Sequence, residues 1–392
     1  MPLRYYRCGL RHARTYLPEA FVCCFNTNID LIKHPAPGEL DSLELELRDE
    51  LERCARTGKQ MEVPVDRETL EALMRELGWD EVAPGGQAGQ MALTAARLGV
   101  RCYLHSEPGR RLGELFGGLE VLVGESRGFV RVDEAEAEGE LPVHYVIELR
   151  AGDVHFGVRV PENTRFIASH DTAAFELRIN PHYMEHVSAV MERVEKACVS
   201  GFHLVDGEHA SRVRVAARLM EEWREENPRL FIHTELGEFC SRRTLEMFRR
   251  YVLPSVDSAG LNEVELRQLT GEQRLEEALL SVSQEVERLV FHTSRYALGV
   301  ASPHDHPRQF RAALQFGTLL AAYRAVHGTP PAMEELERFE PPKPDAGALQ
   351  VYRRLRRALG ERLCFVPALT ALHPKHTVGL GDTFAAGFVL VV

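Results

Sequence analysis

The feature that most constrains the fold is an alternation of apolar, β-rich runs with helical patterns. The apolar runs cover residues 21–25, 197–205, 230–235, 288–293 and 363–366, and helix-like segments cover residues 207–226, 241–251, 262–269 and 273–288. Strands that alternate with helices favour a doubly wound α/β fold with a mostly parallel sheet covered on both faces. Ligands of such sheets bind beyond the carboxyl ends of the strands.

Two stretches interrupt this alternation. Residues 31–84 carry charged helical patterns and a short strand at 61–65, and residues 126–180 contain alternating runs at 144–149 and 154–160 that predict a hairpin. We interpret 31–84 and 126–180 as insertions that form a smaller α/β lid domain. The large α/β domain then comprises residues 1–30, 85–125 and 181–392. Residues 328–346 are Pro-rich and acidic, which predicts an irregular surface segment.

The composition excludes several classes of protein. With 44% apolar and 27% charged residues, the chain is typical of a globular protein, and its net charge of -11 argues against a nucleic-acid partner. No apolar run is long enough to span a bilayer. The eight cysteines are scattered without a Cys-x-x-Cys pair, which predicts a reducing, cytoplasmic location without disulfides or zinc. No obligatory protein partner is predicted.

The glycine-rich turn at 378–382, Val-Gly-Leu-Gly-Asp, precedes a helical, apolar stretch. Gly379 and Gly381 allow the backbone to approach a bound group, and the free N–H groups of the following helix favour an anion. Asp382 in the same turn is suited to accept a proton from an attacking hydroxyl while the turn binds a phosphoryl group. The alternative is an Asp near a helix start, a common capping choice.

Other motifs stand where strands end or helices begin. Asn-Thr-Asn-Ile-Asp (26–30) follows an apolar strand and is suited either to a polyol or to an Asn/Asp turn. Gly-Gly-Gln-Ala-Gly (85–89) opens a helix and allows either close ligand approach or a plain helix entry.

Two acidic motifs and an arginine could serve a phosphate ligand. Glu235 ends His-Thr-Glu (233–235) and Glu265 ends Asn-Glu-Val-Glu (262–265), and Mg²⁺ prefers one or two carboxylates with waters and substrate phosphates. The alternative for Glu265 is complementation of a helix dipole. Arg165 is suited to fork onto phosphate oxygens, or it is a solvated surface group.

Taken in chain order, the motifs form a characteristic series. They are Asn-Thr-Asn-Ile-Asp, Gly-Gly-Gln-Ala-Gly, His-Tyr-Val-Ile-Glu (144–148), Asn-Thr-Arg-Phe-Ile (163–167) with Ser-His-Asp (169–171), Ser-Gly-Phe-His (200–203), His-Thr-Glu, Gly-Leu-Asn-Glu-Val-Glu (260–265), His-Thr-Ser-Arg-Tyr-Ala-Leu (292–298) and Val-Gly-Leu-Gly-Asp. This series resembles the ADP-dependent sugar kinases, the ADP-specific glucokinases and phosphofructokinases of the ribokinase-like superfamily. The resemblance spans roughly residues 20–392.

The resemblance implies a role for each matching residue. Asp382 would be the base, Gly379 and Gly381 the anion hole, and Glu235 and Glu265 the Mg²⁺-associated acids, with His233 and Asn262 as their partners. The residues implied to contact ADP are Arg165, His292 and Gly379. The residues implied to bind the sugar are Asn28, Asp30, Gly86, Gln87 and His144, together with Glu62, which would match the lid glutamate of the glucokinases.

The implied activity is transfer of the β-phosphoryl group of ADP to a hexose, with AMP as product. Ser-Gly-Phe-His-Leu-Val-Asp-Gly and Phe-Ile-Ala-Ser-His-Asp favour glucose as the acceptor. One alternative is an ADP-dependent 6-phosphofructokinase, for which Arg150 or Arg159 would supply the cation for the substrate phosphate. Another is a sugar- or nucleotide-binding protein without catalysis. The continuation Thr-Phe-Ala-Ala-Gly after Asp382 departs from the ADP-dependent pattern and is closer to ATP-using sugar kinases.

Overall fold

A computed structural model describes residues 3–43, 46–136, 141–371, 374–375 and 378–392. The strands are β1 (Ala20–Cys24), β2 (Asn28–Lys33), β3 (Met61–Pro64), β4 (Glu81–Gly85), β5 (Arg101–Leu104), β6 (Val121–Glu125), β7 (Gly128–Arg131), β8 (Val143–Leu149), β9 (Val154–His155), β10 (Val158–Arg159), β11 (Thr164–His170), β12 (Lys196–Val199), β13 (Phe231–Glu235), β14 (Ser258–Leu261), β15 (Arg288–His292), β16 (Tyr296–Val300) and β17 (Leu363–Pro367).

The helices are α1 (Arg7–Tyr16), α2 (Arg48–Thr57), α3 (Arg67–Leu77), α4 (Gly86–Arg97), α5 (Arg110–Phe116), α6 (Thr172–Phe175), α7 (Pro181–Val187), α8 (Val213–Glu226), α9 (Arg242–Met247), α10 (Glu263–Thr270), α11 (Leu275–Val282), α12 (Pro307–His327), α13 (Met333–Arg338), α14 (Ala348–Leu359) and α15 (Leu380–Val389). None of these described helices is long and apolar enough to cross a membrane.

The larger sheet has, within the described residues, ten strands in the order β17-β16-β15-β14-β13-β12-β1-β5-β6-β7. Neighbours from β15 to β6 pair in parallel, and β16, β17 and β7 join antiparallel at the edges. All five predicted apolar strands lie in this sheet. Strands such as β1 and β17 are buried along their whole length, which explains why they read as continuous apolar runs.

Helices cover both faces of the larger sheet, as predicted. On one face α1, α4, α12 and α15 pack together around a core that includes Phe316 and Phe388. On the other face α8, α10, α11 and α14 pack around Trp223 and Phe291. The long helix α12 contacts both α1 and α15. This packing brings the end of α12 beside the start of α15, where the glycine-rich turn lies.

Some predicted bounds were wrong for local reasons. The strand predicted at 197–205 ends at Val199, because Gly201 adopts a left-handed conformation (φ 86°) and a 3-10 turn follows. The helix predicted at 273–288 is shorter, α11, and ends at Val282. The segment predicted at 241–251 is α9 followed by a π-helical turn at Phe248–Val252. The stretch 328–346, predicted to be irregular, contains α13.

The smaller sheet has, among the described residues, five strands in the order β3-β11-β8-β2-β4. Its strand β2 includes the last three residues of Asn-Thr-Asn-Ile-Asp, so these residues form a strand rather than a turn. The hairpin predicted between 144–149 and 154–160 was wrong, because β8 pairs antiparallel with β11. Residues 154–159 instead form the separate two-stranded hairpin β9–β10, which turns at Phe156 and Gly157, both with positive φ.

The division into a large domain and a lid remains a prediction. The smaller sheet draws its strands from 28–33, 61–64, 81–85, 143–149 and 164–170, which fall mostly in the ranges predicted for the lid. Strand β7 also falls in such a range, but it pairs with β6 of the larger sheet. Residues 128–131 therefore belong to the larger sheet, although the range predicted for the lid, 126–180, includes them.

Candidate active site

The glycine-rich turn forms the start of α15. Gly379 is the residue before the helix and has φ 69°, a conformation that an L side chain rarely adopts. Its carbonyl oxygen accepts a hydrogen bond of 2.9 Å from the Thr383 backbone N–H. Gly381 lies within the first turn, where a Cβ atom would stand 3.2 Å from Cε1 of His292. Asp382 follows, so the carboxylate and the free N–H groups of the helix start lie together.

Asp382 has the electrostatic surroundings of a general base. Burial and the negative charge of Glu235 raise its pKa to about 6, and the charges of Arg324, Arg165 and His292 oppose that rise. A base whose pKa lies just below neutrality is ionised at pH 7 and still accepts a proton readily. The prediction that Asp382 is the base remains untested by these observations.

Two histidines hold Glu235 at the carboxyl end of β13. Nε2 of His292 donates to Oε1 of Glu235 at 2.6 Å, and Nε2 of His233 donates to Oε2 at 3.0 Å. Burial opposes ionisation of Glu235, but the charge of His292 and the hydrogen bonds from both rings lower its pKa to about 2. The structure thus brings His233 and Glu235 together. It also places His292, predicted to contact ADP, in contact with Glu235.

Glu265 is part of a capping box at the start of α10. Asn262 donates to both of its carboxylate oxygens, from the backbone N at 2.8 Å and from Nδ2 at 2.6 Å. Burial raises the pKa of Glu265 to about 7, and the charges of Glu235 and Asp382 add to this rise. Glu265 therefore lies in the first turn of α10, where its charge complements the helix dipole, as the alternative interpretation expected. Its partner in the capping box is Asn262, the residue that the family resemblance pairs with it.

The carboxylates of Glu235 and Glu265 are the groups that would hold magnesium. All four oxygens of Glu235 and Glu265 already accept hydrogen bonds from the protein, and the described residues contain no group of three or more His, Cys, Asp or Glu side chains that could hold a metal. Mg²⁺ usually keeps several waters and binds through few carboxylates. Burial is the main cause of the raised pKa values of Asp382 and Glu265, and the charge of Glu235 adds to both, so a divalent cation nearby would offset this negative charge. These residues therefore fit a water-mediated site.

A pair of glycines makes room for the polar end of β2. Nδ2 of Asn28 donates to Oδ1 of Asp30 at 2.7 Å, while Oδ1 of Asn28 is buried without a hydrogen-bond partner among the described residues. A Cβ atom at Gly85 would collide with both of these side chains, and Gly86 has φ 69°. Gly85 and Gly86 are thus required by the close approach of the Asn26–Asp30 segment.

A charged cluster lies beside Asp30 on the smaller sheet. His144 stands opposite Asp30 in the parallel pair of β2 and β8. Its Nε2 donates to Oδ2 of Asp171 at 3.2 Å, and its Nδ1 lies 3.9 Å from Oε1 of Glu62. Although burial lowers it, the pKa of His144 is raised to about 9 by the hydrogen bond that its ring donates to Asp171 and by the charges of Glu62, Asp171 and Asp30. Burial raises the pKa values of Glu62 and Asp30.

Gln87 joins two loops at the carboxyl ends of the large sheet. Its Nε2 donates to the carbonyl oxygen of Leu236 at 2.6 Å, and its Oε1 accepts from the backbone N of Gly201 at 3.1 Å. Both polar ends of the side chain are therefore used within the protein. Its predicted contact with the sugar remains a prediction, and its observed contacts connect the loops after β12 and β13.

Arg165 lies on β11 directly opposite Glu148 of β8. From this position in the smaller sheet its charge lowers the pKa values of both Asp30 and Asp382. The structure therefore brings together the predicted base, the predicted phosphate arginine and the predicted sugar residues. Val378, just before Gly379, packs against Ile32 and Val146 of the smaller sheet and closes one side of this site.

Sequence reasoning assigned no role to two residues that the structure places in the site. Asp171 holds His144, and it stands in the Ser-His-Asp motif, which was a usable signal. Arg324 contacts the glycine-rich turn from α12. It had no signal in the sequence, since it is one of many arginines and lies in an apolar helix.

Comparisons with known proteins agree with this geometry. The sequence profile of the ADP-specific phosphofructokinase/glucokinase conserved region matches residues 28–390. The chain is 29% identical to the ADP-dependent glucose/glucosamine kinase of Pyrococcus abyssi, over 92% of this chain and 92% of that protein. It is 28% identical to the ADP-specific phosphofructokinase of Pyrococcus furiosus, over 87% of this chain and 84% of that protein.

A solved structure is also similar over nearly the whole chain. It is an ADP-dependent kinase in complex with fructose 6-phosphate and ADPβS, with a TM-score of 0.85, 23% identity and coverage of 99% of this chain and 96% of that one. Together with the sheet order, this similarity confirms the predicted fold class, a ribokinase-like doubly wound sheet accompanied by a smaller sheet. The chain belongs to the ADP-specific phosphofructokinase/glucokinase family and is an ADP-dependent sugar kinase.

Proposed function

We propose that this sugar kinase acts on glucose and transfers the β-phosphoryl group of ADP to give glucose 6-phosphate and AMP. The observation that carries the proposal is the position of Glu62 in the cluster around His144. The Glu62 side chain is one quarter exposed, and its Oε1 is buried without a hydrogen-bond partner among the described residues. An unsatisfied buried carboxylate oxygen is suited to accept hydrogen bonds from sugar hydroxyls.

The charge of this pocket favours a neutral sugar. Asp30, Glu62 and Asp171 act on the imidazolium of His144. The guanidinium groups of Arg165 and Arg324, which also act on Asp30, are opposed by the further carboxylates of Asp382 and Glu148. The surplus of carboxylates repels a phosphate group that binds nearby, whereas hydroxyl groups donate to carboxylates. Glucose fits these surroundings better than fructose 6-phosphate does.

The cations expected for fructose 6-phosphate lie far from the cluster. Arg150 follows the last residue of β8, six residues beyond His144, and a strand that rises about 3.3 Å per residue separates them by ~20 Å. Arg159 lies in the β9–β10 hairpin, where its Nη1 donates to the carbonyl oxygen of Gly152. Relatives named for glucose and for phosphofructokinase activity have similar identities, so the proposal depends on the pocket.

The proposed mechanism follows from the turn at α15. A sugar hydroxyl loses its proton to the carboxylate of Asp382 and attacks the terminal phosphorus of ADP in line, and AMP leaves. The helix-start N–H groups beyond Gly379 and Gly381 stabilise the transferring group, and Arg165 binds the ADP phosphates. Magnesium, when bound near Glu235 and Glu265, would neutralise charge on the phosphate oxygens.

We also propose a cytoplasmic location, which the free cysteines favour.

Kinetics of Glu62→Ala on both sugars test the proposal. We expect kcat/KM for glucose to fall at least ~10-fold, about 1.4 kcal/mol, because the hydroxyl acceptor is lost. Use of fructose 6-phosphate should be spared or improved, because the repelling charge is removed. Glu68→Ala, an exposed position on α3, is the matched control and should change neither value. Equal losses on both sugars, or a wild-type preference for fructose 6-phosphate, would overturn the assignment.

A further inference from the structure

The helix α12 carries a buried arginine that contacts the glycine-rich turn. Arg324 is only 5% exposed, and its Nη1 donates to the carbonyl oxygen of Gly379 at 3.2 Å and to Oγ1 of Thr383 at 2.9 Å. Its Nε is buried without a hydrogen-bond partner, and it forms no ion pair within 4.0 Å, as far as the described part of the chain extends. The guanidinium is therefore held by neutral oxygen atoms.

The charges that face Arg324 belong to the active site. They are the carboxylates of Asp382, Asp30 and Glu148 and the guanidinium of Arg165. Burial lowers the pKa of Arg324 to about 10, and the carboxylates oppose this effect. A buried cation without a paired anion is costly, and such a group is typically retained where it acts on a nearby negative charge.

The arginine also explains why residue 379 is a glycine. The guanidinium atoms of Arg324 lie 2.6–2.7 Å from the point where a Cβ atom on Gly379 would stand. No side chain fits there while the arginine is in place. The positive φ of Gly379 and the buried arginine thus determine the shape of the turn together.

A line of hydrogen bonds runs from Arg324 towards the predicted sugar residues. Thr383, which accepts from Arg324, has its Oγ1 3.5 Å from Oγ1 of Thr94 on α4. Thr94 donates to the carbonyl oxygen of Gln90 at 2.9 Å, and Nε2 of Gln90 donates to the carbonyl oxygen of Pro84 at 2.6 Å. Pro84 lies in β4, just before the glycine pair. Arg324 therefore links the turn of α15 to the helix and strand that flank the sugar pocket.

We propose that Arg324 is a positioning residue for phosphoryl transfer, which holds the Gly379–Asp382 turn and supplies a positive charge behind it. The inference rests on the proposed role of Asp382 as base and of the turn as anion hole. Arg324 acts through Gly379, Thr383 and Asp382. Its loss should reduce turnover and leave sugar binding in the absence of nucleotide unchanged.

The test compares Arg324→Ala, Arg324→Lys and Thr383→Val with wild type, on whichever sugar the wild type phosphorylates with ADP. We expect Arg324→Ala to lose at least ~10-fold in kcat with less than about a 3-fold change in sugar Kd, a split typical of an interaction made in the transition state. Arg324→Lys should keep part of the activity, because it keeps the charge. Added guanidinium should restore part of the turnover of Arg324→Ala, while neutral urea at the same low concentration should not.

A control variant and a second pair of variants keep the result interpretable. Arg308→Ala, an exposed position at the start of α12, is the matched control and should behave as wild type. If Arg324→Ala fails to fold, Arg324→Lys and Thr383→Val decide, since both should fold and lose kcat without losing sugar affinity.

Three results would overturn the role of Arg324. They are kcat within 3-fold of wild type in Arg324→Ala (in Thr383→Val if Arg324→Ala does not fold), equal rescue by urea and guanidinium, and loss of sugar binding in parallel with kcat. A wild type that phosphorylates no sugar with ADP overturns the proposed function and this role together. An active wild type with unaffected variants overturns this role alone.

Discussion

At the scale of single residues, the site is built from acids whose pKa values are moved in opposite directions. Two histidines lower the pKa of Glu235 to about 2, whereas burial raises those of Asp382 and Glu265 to about 6 and about 7. Groups with such perturbed pKa values mark functional sites. Glu235 therefore stays ionised beside two carboxyl groups, those of Asp382 and Glu265, that bind protons more readily. We expect this arrangement around a phosphate group and the cation that accompanies it.

The role of Asp382 is tested by substitution and by pH. Asp382→Asn should lose ~10²–10⁴-fold in turnover, the usual contribution of a general base, with sugar and nucleotide affinity retained. Because Asp382 accepts a proton only when ionised, wild-type kcat/KM should fall as the pH drops below about 6. Glu265 titrates nearby, so the residual activity of Asp382→Asn is the control and should lack this acidic limb. Turnover within a few-fold of wild type would remove Asp382 from the mechanism.

The proposed magnesium site is tested by Glu235→Gln and Glu265→Gln. Each variant should need more Mg²⁺ for half-maximal activity, because each loses a negative charge near the cation. Sugar binding without nucleotide should stay unchanged, as measured by calorimetry. Glu263→Gln, an exposed acid in the same first turn of α10, is the control. Magnesium titrations that coincide with wild type for both variants would show that the assignment is wrong.

Residues that stand in motifs could be named from the sequence, and residues that depend on tertiary contact could not. Asp382, Glu235 and Glu265 were candidates because each follows a strand or opens a helix in a distinctive local pattern, and their roles stay predictions. Arg324 could not be named, because its contact with Gly379 arises from the approach of α12 across more than fifty residues of sequence.

At the scale of elements, the apolar strands of the larger sheet were predictable and the pairing in the smaller sheet was not. A strand buried on both faces has a continuous apolar signature. The choice of β11 rather than the nearby β9–β10 segment as the partner of β8 depends on nonlocal packing. Local alternation alone suggested a hairpin that does not exist.

The contact between the smaller sheet and the turn of α15 predicts that ligands affect closure. Val378 packs against Ile32 and Val146, so the sheet that carries Asp30 and His144 contacts the glycine-rich turn. Sugar and nucleotide together should favour this closed arrangement, since the residues proposed to bind them lie on both the smaller sheet and the turn. Small-angle scattering should show a smaller radius of gyration with both ligands than with neither. An unchanged radius and unchanged domain angles in crystal structures with and without ligands would contradict this expectation.

At the scale of the whole molecule, buried charges of both signs meet in one region of an acidic protein. The chain has a net charge of -11, yet Arg165, Arg324, His144 and His292 converge where the two sheets meet. These cations lie among carboxylates such as Asp382 and Asp30, and they are the groups expected to bind the phosphates of a nucleoside diphosphate. The family explains the ADP-dependent chemistry, while the proposed preference for glucose rests on the cluster around His144.

The most direct test of this account is a panel of donors and acceptors with the wild-type protein. ADP and ATP are each combined with glucose and with fructose 6-phosphate in the presence of Mg²⁺, and AMP, ADP and the sugar phosphates are quantified. The account predicts the highest kcat/KM for ADP with glucose, with one AMP released for each glucose 6-phosphate formed. A higher kcat/KM for fructose 6-phosphate, or ATP use with release of ADP in preference to ADP use, would contradict it.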